Sequence, residues 1–150
     1  IRDKIIFTGY QKNIKPFLLK ADMGLLPSRW EGFGLVAVEI LSSGLPIVSS
    51  DVYGNNEVVE KCIAVKSVKP NNVVKLAEAI KDHLKYIKKI GIERIRINAK
   101  QQANKFTYKN MLNGYTNIYK DIQKQLILNK MWYANKKPLK HLEYINDFIN

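Results

Sequence analysis

The chain has 150 residues, enough for one domain with a sizeable core, and its 46% hydrophobic and 25% charged residues exclude wholesale disorder. A single cysteine, Cys62, excludes an internal disulfide; two distant histidines, His83 and His141, make no zinc pattern, and no apolar run approaches the roughly 18 residues that span a membrane. The net charge of +12 is lopsided, with 6 Lys/Arg against 7 Asp/Glu in residues 1–60 and 19 against 6 in residues 61–150.

The chain opens on Ile1 rather than Met and shows no signal peptide, which reads as a segment beginning partway through a longer chain. Lys4-Ile5-Ile6-Phe7-Thr8-Gly9 is a short apolar run closed by Gly and predicts a buried strand. Residues 14–20 suit a short helix with Pro16 in its first turn. Met23-Gly24-Leu25-Leu26-Pro27 is a second strand, stopped by Pro27. After a loop over 28–33, residues 34–43 read as a helix ended by Gly44. Pro46-Ile47-Val48-Ser49-Ser50 is a third strand, 56–60 a short helix, and 62–68 a fourth strand with alternating Ile63 and Val65. Asn72 caps a long helix with Leu76, Ala77, Ile80, Leu84 and Ile87 on its apolar face, and Gly91 breaks it. Residues 92–106 form a basic helix. Thr107 caps another, to about residue 128, whose face is Met111, Leu112, Tyr115, Ile118, Tyr119 and Ile122. The remaining 129–150 are rich in aromatic residues for a tail.

Strands alternating with helices over the first 70 residues predict an α/β fold, a Rossmann-like open parallel sheet with flanking helices. Such sheets bind ligands at the carboxyl ends of their strands, which directs attention to the loops after Gly9, Pro27 and Ser50. The most informative is Pro27-Ser28-Arg29-Trp30-Glu31-Gly32-Phe33-Gly34-Leu35-Val36-Ala37-Val38-Glu39. Two glycines flank Phe33 just before a helix start, where free amides and the helix dipole favour an anion. The glycine fingerprints of dinucleotide sites and P-loops are both missing. Glu31 and Glu39 bracket the turn, and Glu39 interrupts an otherwise apolar helix. Carboxylates only accept hydrogen bonds, so paired hydroxyls of a sugar or ribose are natural partners. The same residues also fit a helix-start acid and a solvated one.

Glu31-x7-Glu39, with Phe33-Gly34-Leu35 inside it and Gly44-Leu45-Pro46-Ile47-Val48 after it, resembles the signature of family 4 (group 1) glycosyltransferases. Phe7-Thr8-Gly9, the run from Ala21 to Ser28, Glu57-Val58-Val59, the helix at Leu76-Ala77-Glu78-Ala79-Ile80, and Phe106-Thr107 with Tyr115 and Tyr119 agree. The resemblance covers about residues 4–122. It implies the C-terminal, donor-binding half of a GT-B fold, with residues 1–128 as the nucleotide-sugar domain. Its first strand and diphosphate-gripping Arg and Lys would precede residue 1. The tail, 129–150, would cross to an N-terminal domain.

The resemblance further implies a retaining transferase, metal-independent and without a cofactor. It would move a hexose-type sugar from a nucleotide-diphosphate sugar, UDP foremost, to a saccharide or lipid-linked acceptor of surface polysaccharide or glycolipid. Glu31 would be the catalytic residue, contacting hydroxyls of the transferred sugar, and Glu39 would accept hydrogen bonds from the ribose hydroxyls. The amides around Gly32, Phe33, Gly34, Leu35 and Val36 would meet sugar and diphosphate, and Tyr10 and Gln11 would lie beside the base. Arg29 and Trp30 would shape the sugar pocket, Trp30 being equally consistent with loop packing. The place implied is the cytoplasm, with the basic half against the inner face of an anionic membrane. Such a domain alone would be inactive. Two other readings stand beside it: a different GT-B nucleotide-sugar enzyme of epimerase or phosphorylase type, and a basic nucleic-acid-binding module. The nucleic-acid reading lacks the interleaved aromatic and Arg pattern of single-strand binders.

Overall fold

The computed structural model describes residues 2–134, in two compact units that divide between Thr107 and Tyr108. The first unit is built on three parallel strands, β1 (Gly24–Leu26), β2 (Ile47–Ser50) and β3 (Val65–Val68), in the order β1-β2-β3. Leu25 pairs with Val48, and Val48 with Lys66. All four residues of β2 are buried, as a central strand covered on both faces requires, whereas β1 and β3 are half-exposed edges.

Parallel neighbours need crossovers, and two helices supply them: α2 (Leu35–Ser42) between β1 and β2, and α3 (Tyr53–Val59) between β2 and β3. A short α1 (Lys15–Leu18) precedes β1, with Pro16 in its first turn as expected. The long α4 (Val73–Ile90) starts at Asn72, whose side-chain oxygen accepts the Lys75 amide at 2.9 Å. Gly91, at φ +93°, turns the chain into α5 (Ile92–Ala103). The core gathers Ala37, Ile40 and Leu41 of α2, Ile47 of β2, Val58 of α3, and Ile95, Ala99 and Ala103 of α5. The spacing of four along α5 puts one small or apolar face on α2. Two polar side chains of α5 serve the core's edge. Asn98 Oδ1 accepts the Ile63 amide at 2.9 Å and the Cys62 thiol at 3.2 Å, and Gln102 Nε2 donates to the Val58 carbonyl at 2.7 Å. Burial pushes the Cys62 thiol up from 9.0, partly offset by its backbone partner Ala64 and by the Lys105 charge.

Three expectations are corrected. The apolar run at 4–9 forms no strand: a 3-10 turn covers Arg2–Lys4, and Phe7 is 93% exposed. Apolar residues become a strand only by hydrogen bonding to a neighbouring strand, and among the described residues the run pairs with none. The helix expected at 56–60 begins earlier, at Tyr53. On α4 the buried stripe is Ala79, His83 and Ile87, with Ala77 and Leu84 exposed. His83 Nε2 donates to the Ala64 carbonyl at 3.0 Å, which satisfies a polar ring that the helical spacing from Ile80 and Ile87 brings to the inner face.

The second unit, described by itself, contains α6 (Tyr108–Ala134), which runs past the expected end near 128. Met111, Leu112, Tyr115, Ile118, Tyr119 and Ile122 are all exposed along it. The rest of the aromatic tail, residues 135–150, lies outside the described residues. Among the described residues, no helix is long and apolar enough to cross a membrane.

Candidate functional site

The loop from Pro27 to Gly34 leaves the carboxyl end of β1 and enters α2. Gly34 is buried and left-handed, with φ +71° and ψ +41°, the backbone shape that glycine adopts without penalty. Its carbonyl accepts the Ala37 amide at 2.9 Å, so the helix begins there. No side chain caps it, and the amides of Leu35 and Val36 have no acceptor among the described residues. Leu35 is 67% exposed, so an apolar side chain stands open to solvent beside those free amides. Phe33 turns the other way and packs edge-on against Phe106, with ring centroids 5.7 Å apart. The helix start is thus an uncapped pair of donors at the positive end of a dipole, a setting that favours an anion.

The two acids are held differently. Glu31 is half-buried and accepts the Ser28 hydroxyl at 2.7 Å, which leaves its second oxygen to other donors. Glu39 is exposed on α2 and lines a cavity of about 570 Å³ with Lys12, Asn13, Lys15 and Lys100. Glu31 is not among the walls of that cavity. Glu39 does face the segment just beyond Tyr10 and Gln11. Gln11 donates from Nε2 to the Thr8 carbonyl at 2.6 Å, and the Tyr10 ring is exposed. Gly32 is exposed on the loop. Trp30 is 82% exposed, which sets aside the reading that it packs the loop. A second cavity, of about 200 Å³, opens where the carboxyl ends of the strands meet, lined by Pro27, Arg29, Ser50, Val68, Lys69 and Asn72.

Sequence reasoning missed what lies under the loop. Gly54 and Asn55, in the first turn of α3, support it from below. Asn55 is fully buried, and its Oδ1 has no hydrogen-bond partner. An unpaired buried acceptor costs about 1–3 kcal/mol, so its retention asks for a reason. No pattern in the sequence marks this residue, because its importance lies in what packs above it.

The model of the family described as "Glycosyl transferases group 1" matches residues 1–102. The chain belongs to the group 1 glycosyltransferases. An uncharacterized 41.2 kDa protein in the cps region of Klebsiella pneumoniae is 31% identical over 121 residues, which is 79% of this chain and 33% of that protein. The O-antigen biosynthesis glycosyltransferase WclY of Escherichia coli is 24% identical over 131 residues, 85% of this chain and 34% of that one. The chain therefore spans about a third of the length of these relatives. Among solved structures, a sucrose-phosphate synthase from Thermosynechococcus elongatus superposes with a TM-score of 0.59 at 21% identity, over 75% of this chain and 28% of that one. That likeness concerns the fold: a parallel sheet flanked by helices.

Proposed function

We propose that this chain carries the donor-binding site of a retaining glycosyltransferase that builds surface polysaccharide or glycolipid. The observation that carries the reading is the uncapped start of α2, with free amides at Leu35 and Val36 between Glu31 and Glu39. The diphosphate of a nucleotide sugar sits at those amides, Glu39 takes the ribose hydroxyls, and Tyr10 and Gln11 flank the base. Glu31, oriented by Ser28, holds hydroxyls of the transferred sugar. UDP is the first candidate nucleotide. The kinship with an O-antigen glycosyltransferase supports an acceptor that is a saccharide or a lipid-linked saccharide.

In this reading, as the family resemblance implies, an acceptor hydroxyl attacks on the face from which the diphosphate departs, and the departing phosphate oxygen receives the hydroxyl proton. Catalysis then consists of positioning and of stabilising phosphate charge, without a metal. The excess of Lys beyond residue 60 fits docking at an anionic cytoplasmic membrane surface, close to a lipid-linked acceptor.

Calorimetric titration of the chain with UDP, GDP and ADP, each with and without an attached hexose, tests the reading. Saturable binding of one nucleotide, tighter with its sugar, is the expected result. Heat from none of the six ligands would overturn it.

A further inference from the structure

The loop that bears Glu31 rests on backbone. A Cβ placed on Gly54 would lie 2.5 Å from both the Glu31 and the Gly32 carbonyl oxygens, so the first turn of α3 touches the loop with no side chain between. One residue on, Asn55 is 0% exposed. Its Nδ2 donates to Ser49 Oγ at 3.0 Å, and that hydroxyl donates to the Ser50 carbonyl at 3.1 Å. One edge of the amide is therefore tied to the carboxyl end of the central strand. The other edge is not tied: Oδ1 has no partner, and it stands 2.6 Å from where a Cβ on Gly34 would be. The unsatisfied acceptor thus faces the left-handed turn that opens α2. β2 is fixed by the sheet and the body of α2 by the core, whereas the amides of residues 32–34 in the loop, like those of Leu35 and Val36, have no acceptor among the described residues.

The geometry points to Asn55 as a positioning residue for the donor loop: its Oδ1 receives a backbone N–H of residues 32–34 when a nucleotide sugar settles on the start of α2. The inference rests on the donor-site reading above. Asn55 does not touch the substrate. It acts by making the ligand-engaged arrangement of the loop the one in which every buried polar group is paired, so ligand binding and completion of this bond favour each other. It also accounts for Gly at both 34 and 54, since a side chain at either would part the loop from its support.

The test compares the wild-type chain with Asn55→Leu, which keeps the branched outline and removes the orphaned oxygen together with the Nδ2 bond to Ser49, and with Asn55→Ala in case the first does not fold. UDP-glucose, GDP-mannose and ADP-glucose are the probes. Either variant loses the Ser49 bond and so some stability, but the discriminating readout is affinity for the sugar nucleotide, which should fall about three- to tenfold in the folded variant, the worth of one ordinary hydrogen bond. A merely structural role gives lower stability with affinity unmoved in the folded chain, and would overturn the inference. In amide NMR spectra, saturation of wild type should move one amide of residues 32–34 strongly downfield, and the variant should not show the move. Wild type that binds with no such shift overturns the inference while leaving the donor-site reading intact. Wild type that binds none of the three overturns both.

Discussion

The two ends of α2 use the same residue to opposite effect. Gly34 and Gly44 are both left-handed, at φ +71° and +79°. At Gly44 the helix is closed: its amide donates to the Leu41 carbonyl at 2.9 Å, and the Leu45 amide reaches back to Ile40 at 3.3 Å, which finishes the last turn and folds buried Leu45 over the core. At Gly34 nothing closes the helix. The amides that a Ser, Thr, Asn or Asp would have capped are left free, whereas α4 of the same chain is capped by Asn72. A helix end finished by its own backbone serves the fold. A helix end left open, with an acid on the loop before it and another on the helix, is the one we propose for a ligand.

The contrast predicts which changes alter stability and which alter binding. Gly34→Ala should have the largest effect: it places a side chain at positive φ and 2.6 Å from Asn55 Oδ1, with the α3 backbone close behind at 3.4 Å. A loss of about 2–4 kcal/mol in urea unfolding is expected, together with loss of nucleotide-sugar binding. Retained affinity would mean that the open end is not the site. Glu39→Ala should come next, weakening nucleotide binding by about 1.5–3 kcal/mol for a charged hydrogen bond to the ribose, with the unfolding midpoint nearly unchanged. An unaltered dissociation constant would remove Glu39 from the site.

Gly44→Ala is the counterpart at the closed end. Its new methyl meets the flexible Lys100 Cε at 3.1 Å, so the cost is chiefly the left-handed backbone, about 1–2 kcal/mol of stability, with affinity kept. If that variant loses affinity as Gly34→Ala does, the division between the two ends fails. The smallest effect involves neither end. Burial holds His83 below 6.5, its bond to the Ala64 carbonyl pulls the other way, and the Lys66 charge adds to the lowering. Since the unfolded chain then binds the proton more readily, the contribution is whole above 6.5 and is lost as pH falls through the lower folded value. Unfolding midpoints taken on either side of 6.5 should show that slope, and His83→Gln should flatten it without changing nucleotide binding.

Much of the fold around the candidate site was legible because its signals are local. Two glycines ten residues apart around an apolar run mark both ends of α2, Asn72 marks the start of α4, and the spacing from Glu31 to Glu39 pointed to the family. Each of these depends on hydrogen bonds within a turn or two, which the neighbouring residues decide. What tertiary structure alone decided depends on partners distant in the chain. The 4–9 run had strand chemistry but pairs with no strand among the described residues; α4 holds His83 inward against the Ala64 carbonyl; and Gly54 and Asn55, unremarkable in the sequence, became the support of the loop from Glu31 to Gly34 once α3 packed beside it. Backbone conformation is set over a few residues, whereas pairing and burial are set by whatever the rest of the chain brings alongside.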